Sequence, residues 1–97
     1  MAVKLERQQV AEQLQRLPHW TLQGDQIERL LTFENFVDAM IFVNRVAEIA
    51  EEEGHHPDIR IVYNHVTLAL SSHDAGGLTQ KDFQMAQRID SLAGLRP

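Results

Sequence analysis

Hydrophobic and polar residues alternate along this chain with two different periods, and the switches between them mark out its elements. Between Lys4 and Leu17, the residues Val10, Leu14 and Leu17 recur at helical spacing, and Pro18 ends the run. Trp20 and Leu22 on one side of Gly24-Asp25, and Ile27 to Phe33 on the other, predict a first hairpin turning at that Gly-Asp pair. From about Glu34 to Glu53, Phe36, Met40, Val43, Ala47 and Ala50 repeat at steps of three and four, with Phe33, Val37, Ile41 and Val46 widening the stripe. This is the strongest helical pattern in the chain. Gly54 follows it where a left-handed C-terminal cap is wanted, because glycine has no Cβ to clash there.

After His55-His56-Pro57 the period drops to two. Ile59, Ile61 and Tyr63 alternate with Arg60, Val62 and Asn64; then Val66, Leu68 and Leu70 alternate with Thr67, Ala69 and Ser71. Asn64-His65 is the expected turn, since Asn tolerates the positive φ of tight hairpins. Gly76-Gly77 interrupts the chain, and Thr79 opens a last helix with Phe83, Ala86, Ile89 and Ala93 on one face. The order helix, hairpin, helix, hairpin, helix predicts an α+β fold. Its form is a two-layer sandwich, a four-stranded antiparallel sheet with three helices packed on one face. A chain of 97 residues has material for one core, so residues 1–97 are read as a single domain.

Composition narrows the function classes. The formal net charge is -5 and no run of Lys and Arg forms a basic face; the longest charge run is the acidic Glu51-Glu52-Glu53. Direct binding to nucleic acid or to an anionic membrane is therefore not expected. There is no cysteine, which excludes disulfide and thiolate chemistry. The N-terminus turns polar at once and no apolar stretch reaches membrane-spanning length, so a cytoplasmic protein is expected.

The five histidines carry the candidate chemistry. With the turn at Asn64-His65, register sets Asp58 opposite Ser71 and His56 opposite His73, about 5 Å apart between β-carbons. His55 lies next to them. His65 then sits at the far end of the hairpin, about 20 Å or more away, and is assigned no chemistry; His19 is read as surface. Imidazole titrates near neutrality, so it can give a proton and recover it within one cycle. Elimination of water by acid–base catalysis needs such groups, and needs neither metal nor redox cofactor. Against this, a His-His-Pro run after a helix serves equally well as a terminator, its cations favourable at the helix C-terminus. Zinc is the other sharp reading. It is disfavoured because adjacent residues in an extended segment point to opposite sides, and no HExxH pattern is present. Asp82 has a local explanation as the acid at the third position of a helix that Thr79 opens. Glu51 stands one turn before His55 and within its reach.

Taken together, these residues resemble the signature of the pterin-4a-carbinolamine dehydratase family over nearly the whole chain. An acid, Glu51, stands four positions before His55-His56-Pro57; an aromatic, Tyr63, follows, then His73 and, nine positions on, Asp82. Trp20 and Gly76-Gly77-Leu78 are similar to family members as well. The resemblance implies dehydration of 4a-hydroxytetrahydropterin to quinonoid dihydropterin, which recycles the pterin of aromatic amino acid hydroxylases. It implies His55 and His73 as proton-transfer groups, His56 chiefly as a substrate ligand, Asp82 as a site residue, and Glu51 and Trp20 beside the substrate. No cofactor or metal is implied. The chain departs from the pattern at Gly54, where members often carry an acid, so no tuning of the first histidine by that acid is implied here. Unpaired sheet edges and the resemblance both lead to the expectation of a homodimer or higher homo-oligomer. Two alternatives stand beside the dehydratase. One is a regulatory protein, as animal relatives serve as dimerisation cofactors of a homeodomain transcription factor. The other is an enzyme on another pterin, such as in molybdopterin metabolism.

Overall fold

The alternating stretches form strands and the three- and four-spaced stretches form helices. In the computed structural model, which describes residues 3–94, the elements are α1 (Arg7–Leu14), β1 (Thr21–Gln23), β2 (Gln26–Thr32), α2 (Phe36–Glu53), β3 (Asp58–Val62), β4 (His65–Leu70), a short 3-10 helix (His73–Ala75) and α3 (Gln80–Gly94). The four strands make one antiparallel sheet in the order β1-β2-β4-β3. Alternation decides which face is buried. Ile27 and Leu31 of β2, with Val66, Leu68 and Leu70 of β4, point inward and are at most 2% exposed. They pack against Val10 of α1, Phe42 and Val46 of α2, and Phe83, Ala86 and Ile89 of α3 in a single core. This is the α+β sandwich expected of the pattern. No helix among the described residues is long and apolar enough to cross a membrane.

Two local details differ from the sequence reading, each for a long-range reason. The β3–β4 turn is Tyr63-Asn64, not Asn64-His65, and Tyr63 takes the positive φ of 52°. Asn64 is held from the neighbouring strand: its carbonyl accepts from the Phe33 N–H at 2.9 Å, and its side chain donates to the Phe33 carbonyl at 2.8 Å. The observed register pairs Val62 with His65 and Asp58 with Ala69. A shift of two preserves which side chains face the core, because the side-chain period is two, but it moves every partner two residues along the strand.

The second difference is the face that α2 buries. Ala39, Phe42, Val43, Val46 and Ala50 are buried, whereas Ala47 is exposed and Phe36, Val37 and Ile41 are 48%, 65% and 49% exposed. More than half of the circumference of α2 is apolar, so spacing alone does not say which part meets the sheet. Asn35 caps its start by accepting from the Asp38 N–H at 2.8 Å. Arg88 of α3 donates to Glu52 and Glu53 at its end, at 2.7 and 3.0 Å, and these bonds, Glu52 first, raise the guanidinium pKa.

Gly54 ends α2 in the left-handed region, at φ 61°. A Cβ there would touch nothing within 4 Å, so only the backbone resists substitution. Gly54→Ala is expected to cost about 1–2 kcal/mol, measured by urea denaturation, and Gly54→Asn less, since Asn visits this region more readily. An unchanged midpoint for Gly54→Ala would contradict the cap.

Candidate active site

A carboxylate removed from water must be paired, and the site is organised around one. Asp82, three residues into α3, is 0% exposed. Its Oδ2 accepts from the Thr79 N–H at 2.8 Å and from the Ser72 hydroxyl at 2.9 Å. The Ser72 and Thr79 hydroxyls lie 2.9 Å apart. Since Ser72 commits its one proton to Asp82, the Thr79 hydroxyl must be the donor in that contact. The remaining oxygen, Oδ1, meets His55 Nε2 at 2.5 Å. Asp82 thus caps α3 and holds a histidine at once.

That pairing determines what His55 can do. An ionised carboxylate only accepts, so Nε2 must carry a proton, and in the neutral ring Nδ1 then bears the lone pair. The His55 side chain is 14% exposed, and no described residue is bonded to its Nδ1. The result is a buried carboxylate orienting an imidazole whose other nitrogen is free to take a proton, the arrangement on which general-base histidines rely.

His56 and His73 are exposed and have no bond to Asp82. Continuing the β3–β4 register beyond Asp58 and Ala69 sets His56 beside Ser71 and His55 beside Ser72. Ser72 points inward to Asp82, so His56 and Ser71 point outward. His56 Nε2 pairs with Glu51 Oε2 at 2.5 Å, in an exposed contact; Glu51 therefore reaches the second histidine of the pair and not the first. His73 follows Ser72 as the first residue of the 3-10 helix, its Nε2 3.4 Å from Ser71 Oγ. Its loop is pinned by paired backbone bonds between Ser72 and Gly77, at 3.0 and 3.3 Å. His73, Ser71, Gln23 and Gln26 are among the walls of a cavity of about 250 Å³. The expected pairing of His56 with His73 is not formed: the β3–β4 pairing ends at Asp58 and Ala69, and His73 lies in the 3-10 helix beyond it.

Trp20 is not brought to these groups. It is 4% exposed in the core, and its Nε1 donates at 2.8 Å to Asp90, which also pairs with Arg29. Asp90 lies eight residues beyond Asp82 along α3, roughly 12 Å at the helical rise. His19 is exposed, and His65 sits at the far end of β4 with Nδ1 3.1 Å from Thr32 Oγ1. Ser72 and Thr79, which complete the shell of Asp82, were not singled out by sequence reasoning as site residues. The only signal for Ser72 was its parity with the inward residues of β4.

Comparison with known proteins gives the family and the fold. The family model described as pterin 4 alpha carbinolamine dehydratase matches residues 3–92. A relative from Acidobacterium capsulatum, named as an inferred pterin-4-alpha-carbinolamine dehydratase, is 58% identical over 83 residues, which cover 86% of this chain and 90% of that protein. A relative of the same name from Thermomicrobium roseum is 50% identical over 93% of this chain and 97% of its own. Among solved structures, the transcriptional coactivator/pterin dehydratase of Brucella melitensis superposes with a TM-score of 0.89 at 32% identity, covering 94% of this chain and 99% of that one. The class they share is a hydro-lyase built on this two-layer sandwich. The chain belongs to the pterin-4a-carbinolamine dehydratase family.

Proposed function

We propose that the protein dehydrates 4a-hydroxytetrahydropterin to quinonoid dihydropterin by histidine acid–base catalysis, and so recycles the pterin of aromatic amino acid hydroxylases. The observation that carries this reading is the buried Asp82 holding His55 Nε2, with His73 joined to the same carboxylate through its neighbour Ser72. In the reaction the lone pair of N5 forms the C4a=N5 bond as the C4a–O bond breaks. His73 protonates the departing oxygen, which leaves as water, and His55 Nδ1 takes the proton from N5. Exchange with solvent then returns one proton to His73 and removes one from His55. His56, exposed and paired with Glu51, binds the substrate. The direct test is a dehydration assay on freshly generated substrate; recycling is tested by whether the protein raises the steady-state rate of a phenylalanine hydroxylase.

His56→Ala is expected to raise KM several-fold while changing kcat less, since binding lost equally from ground and transition states appears in KM. His65→Ala is expected to leave both constants as they are, because about 20 Å of strand separates it from the site. Steady-state kinetics check both; a kcat loss at His56 as large as at His55 would contradict the division of roles.

Self-association belongs to the same proposal. β1 and β3 are sheet edges with unpaired backbone groups, and α2 exposes Phe36, Val37 and Ile41. Light scattering at micromolar concentration is expected to show a dimer or larger, and a species of only 11.1 kDa would contradict it.

A further inference from the structure

One hydrogen bond from the Thr79 N–H would be enough for Asp82 to cap α3, yet its Oδ2 accepts a second, from the Ser72 hydroxyl at 2.9 Å. The extra donor comes from outside the helix. Ser72 stands two residues beyond β4, in the backbone bridge to Gly77. Its neighbours Ser71 and His73 wall the cavity of about 250 Å³, while its own side chain goes to Asp82 and the residue is 7% exposed. Thr79, 1% exposed, stands behind it. With the Thr79 hydroxyl donating to Ser72 Oγ at 2.9 Å, the Ser72 proton points at the carboxylate. Both hydroxyls are buried, so they act on the reaction only through Asp82.

The last torsion of an aspartate is intrinsically broad, and so is that of an imidazole. A capping bond alone leaves a carboxylate free to tilt its plane or exchange its two oxygens. Two donors on Oδ2 fix the plane and commit that oxygen, and Oδ1 is then the one left for His55 Nε2, at 2.5 Å. Among the described residues, nothing else is bonded to the His55 ring. Any play in the carboxylate therefore passes to Nδ1, the atom that takes the proton in the reading above.

We propose that Ser72, with Thr79 behind it, is a positioning residue of the dehydration: its hydroxyl holds Asp82, and through it the His55 imidazole, in the orientation that presents Nδ1 to the substrate. The inference rests on the acid–base reading of His55 and adds the residues that aim it. It is tested by kcat and KM per folded molecule and by nitrogen NMR of the imidazole. Ser72→Ala is expected to lower kcat about tenfold and leave KM as it is. The loss stays below the roughly hundredfold that a misplacement of about 1 Å can cost, because the Thr79 N–H still holds Asp82. Ser72→Thr keeps the hydroxyl and is expected to restore most of the rate. Thr79→Val keeps the capping N–H and removes only the hydroxyl. It is expected to lower kcat about threefold alone and to add nothing to Ser72→Ala, since it acts through Ser72. The spectrum separates aim from stability. Neutral His55 in the wild type is expected to carry its hydrogen on Nε2, and in Ser72→Ala the two ring-nitrogen shifts are expected to move toward each other as the second tautomer is populated. Wild-type kcat with an unchanged spectrum in Ser72→Ala overturns the proposal. So does a Thr variant as slow as the Ala variant, or a loss confined to KM. Full turnover in His55→Ala overturns the acid–base reading itself, and the positioning role with it.

Discussion

Asp82→Asn is expected to yield a folded protein whose turnover is lower by about 10²–10⁴-fold, the range spanned by loss of a positioned acid–base group and by misorientation of a catalytic imidazole. The carboxylate forces the His55 proton onto Nε2 because it can only accept. An amide can present its NH₂ to Nε2 instead, which drives the proton to Nδ1 and removes the lone pair the reaction needs. One amide oxygen still serves Thr79 and Ser72. The stability cost is therefore about 1–3 kcal/mol, that of weakening charge-assisted hydrogen bonds. Asp82→Ala strands the Thr79 N–H and the Ser72 hydroxyl as well, and is expected to melt lower than Asp82→Asn. Thermal melts and kcat per folded molecule separate the two roles of the residue. If Asp82 served only as a cap, the Asn variant would melt lower yet turn over at the wild-type rate.

The second large effect belongs to His55 and His73 together. Each is expected to cost roughly a hundredfold or more in kcat when replaced by Ala, the ordinary size of general acid–base catalysis. In the proposed mechanism the two residues handle different protons of one dehydration, one on the departing oxygen and one on N5. They also have different partners, His55 bonded to the buried Asp82 and the exposed His73 near the Ser71 hydroxyl. Either remaining histidine can then serve part of the reaction from its own face of the pterin. The single variants are expected to retain residual activity for that reason, and the double variant to lose it. Circular dichroism of the double variant is expected to match the wild type, because His73 is exposed and Asp82 retains its bonds to Thr79 and Ser72.

Local physics made the framework legible. Alternation marked Val66, Leu68 and Leu70 as one face of β4, Gly24-Asp25 the first turn, and Gly54 the end of α2, because each depends on neighbours in sequence. What distance in sequence decides was hidden. The second turn moved to Tyr63-Asn64 because Asn64 is tied to Phe33, 31 residues away. The buried face of α2 depended on where the sheet lies. The capping role of Asp82 could be read from Thr79 alone; the family resemblance implied only that Asp82 belongs to the site, and its bond to His55, 27 residues away, was not foreseen. Glu51 was assigned a partner by helical spacing, yet the chain leaves the helix at Gly54 and swings His56 to it. Trp20 was set beside the substrate by the family resemblance; nothing local to it announced Asp90, 70 residues on.

The central claim, that histidines and no metal carry the protons, is tested most directly by following the decay of freshly generated 4a-hydroxytetrahydropterin with chelator present. Wild-type protein is expected to accelerate the decay to the same extent with and without exhaustive chelation, and the His55→Ala/His73→Ala protein to leave it at the buffer rate. Wild-type turnover in the double variant contradicts the account, as does activity that chelation abolishes and zinc restores.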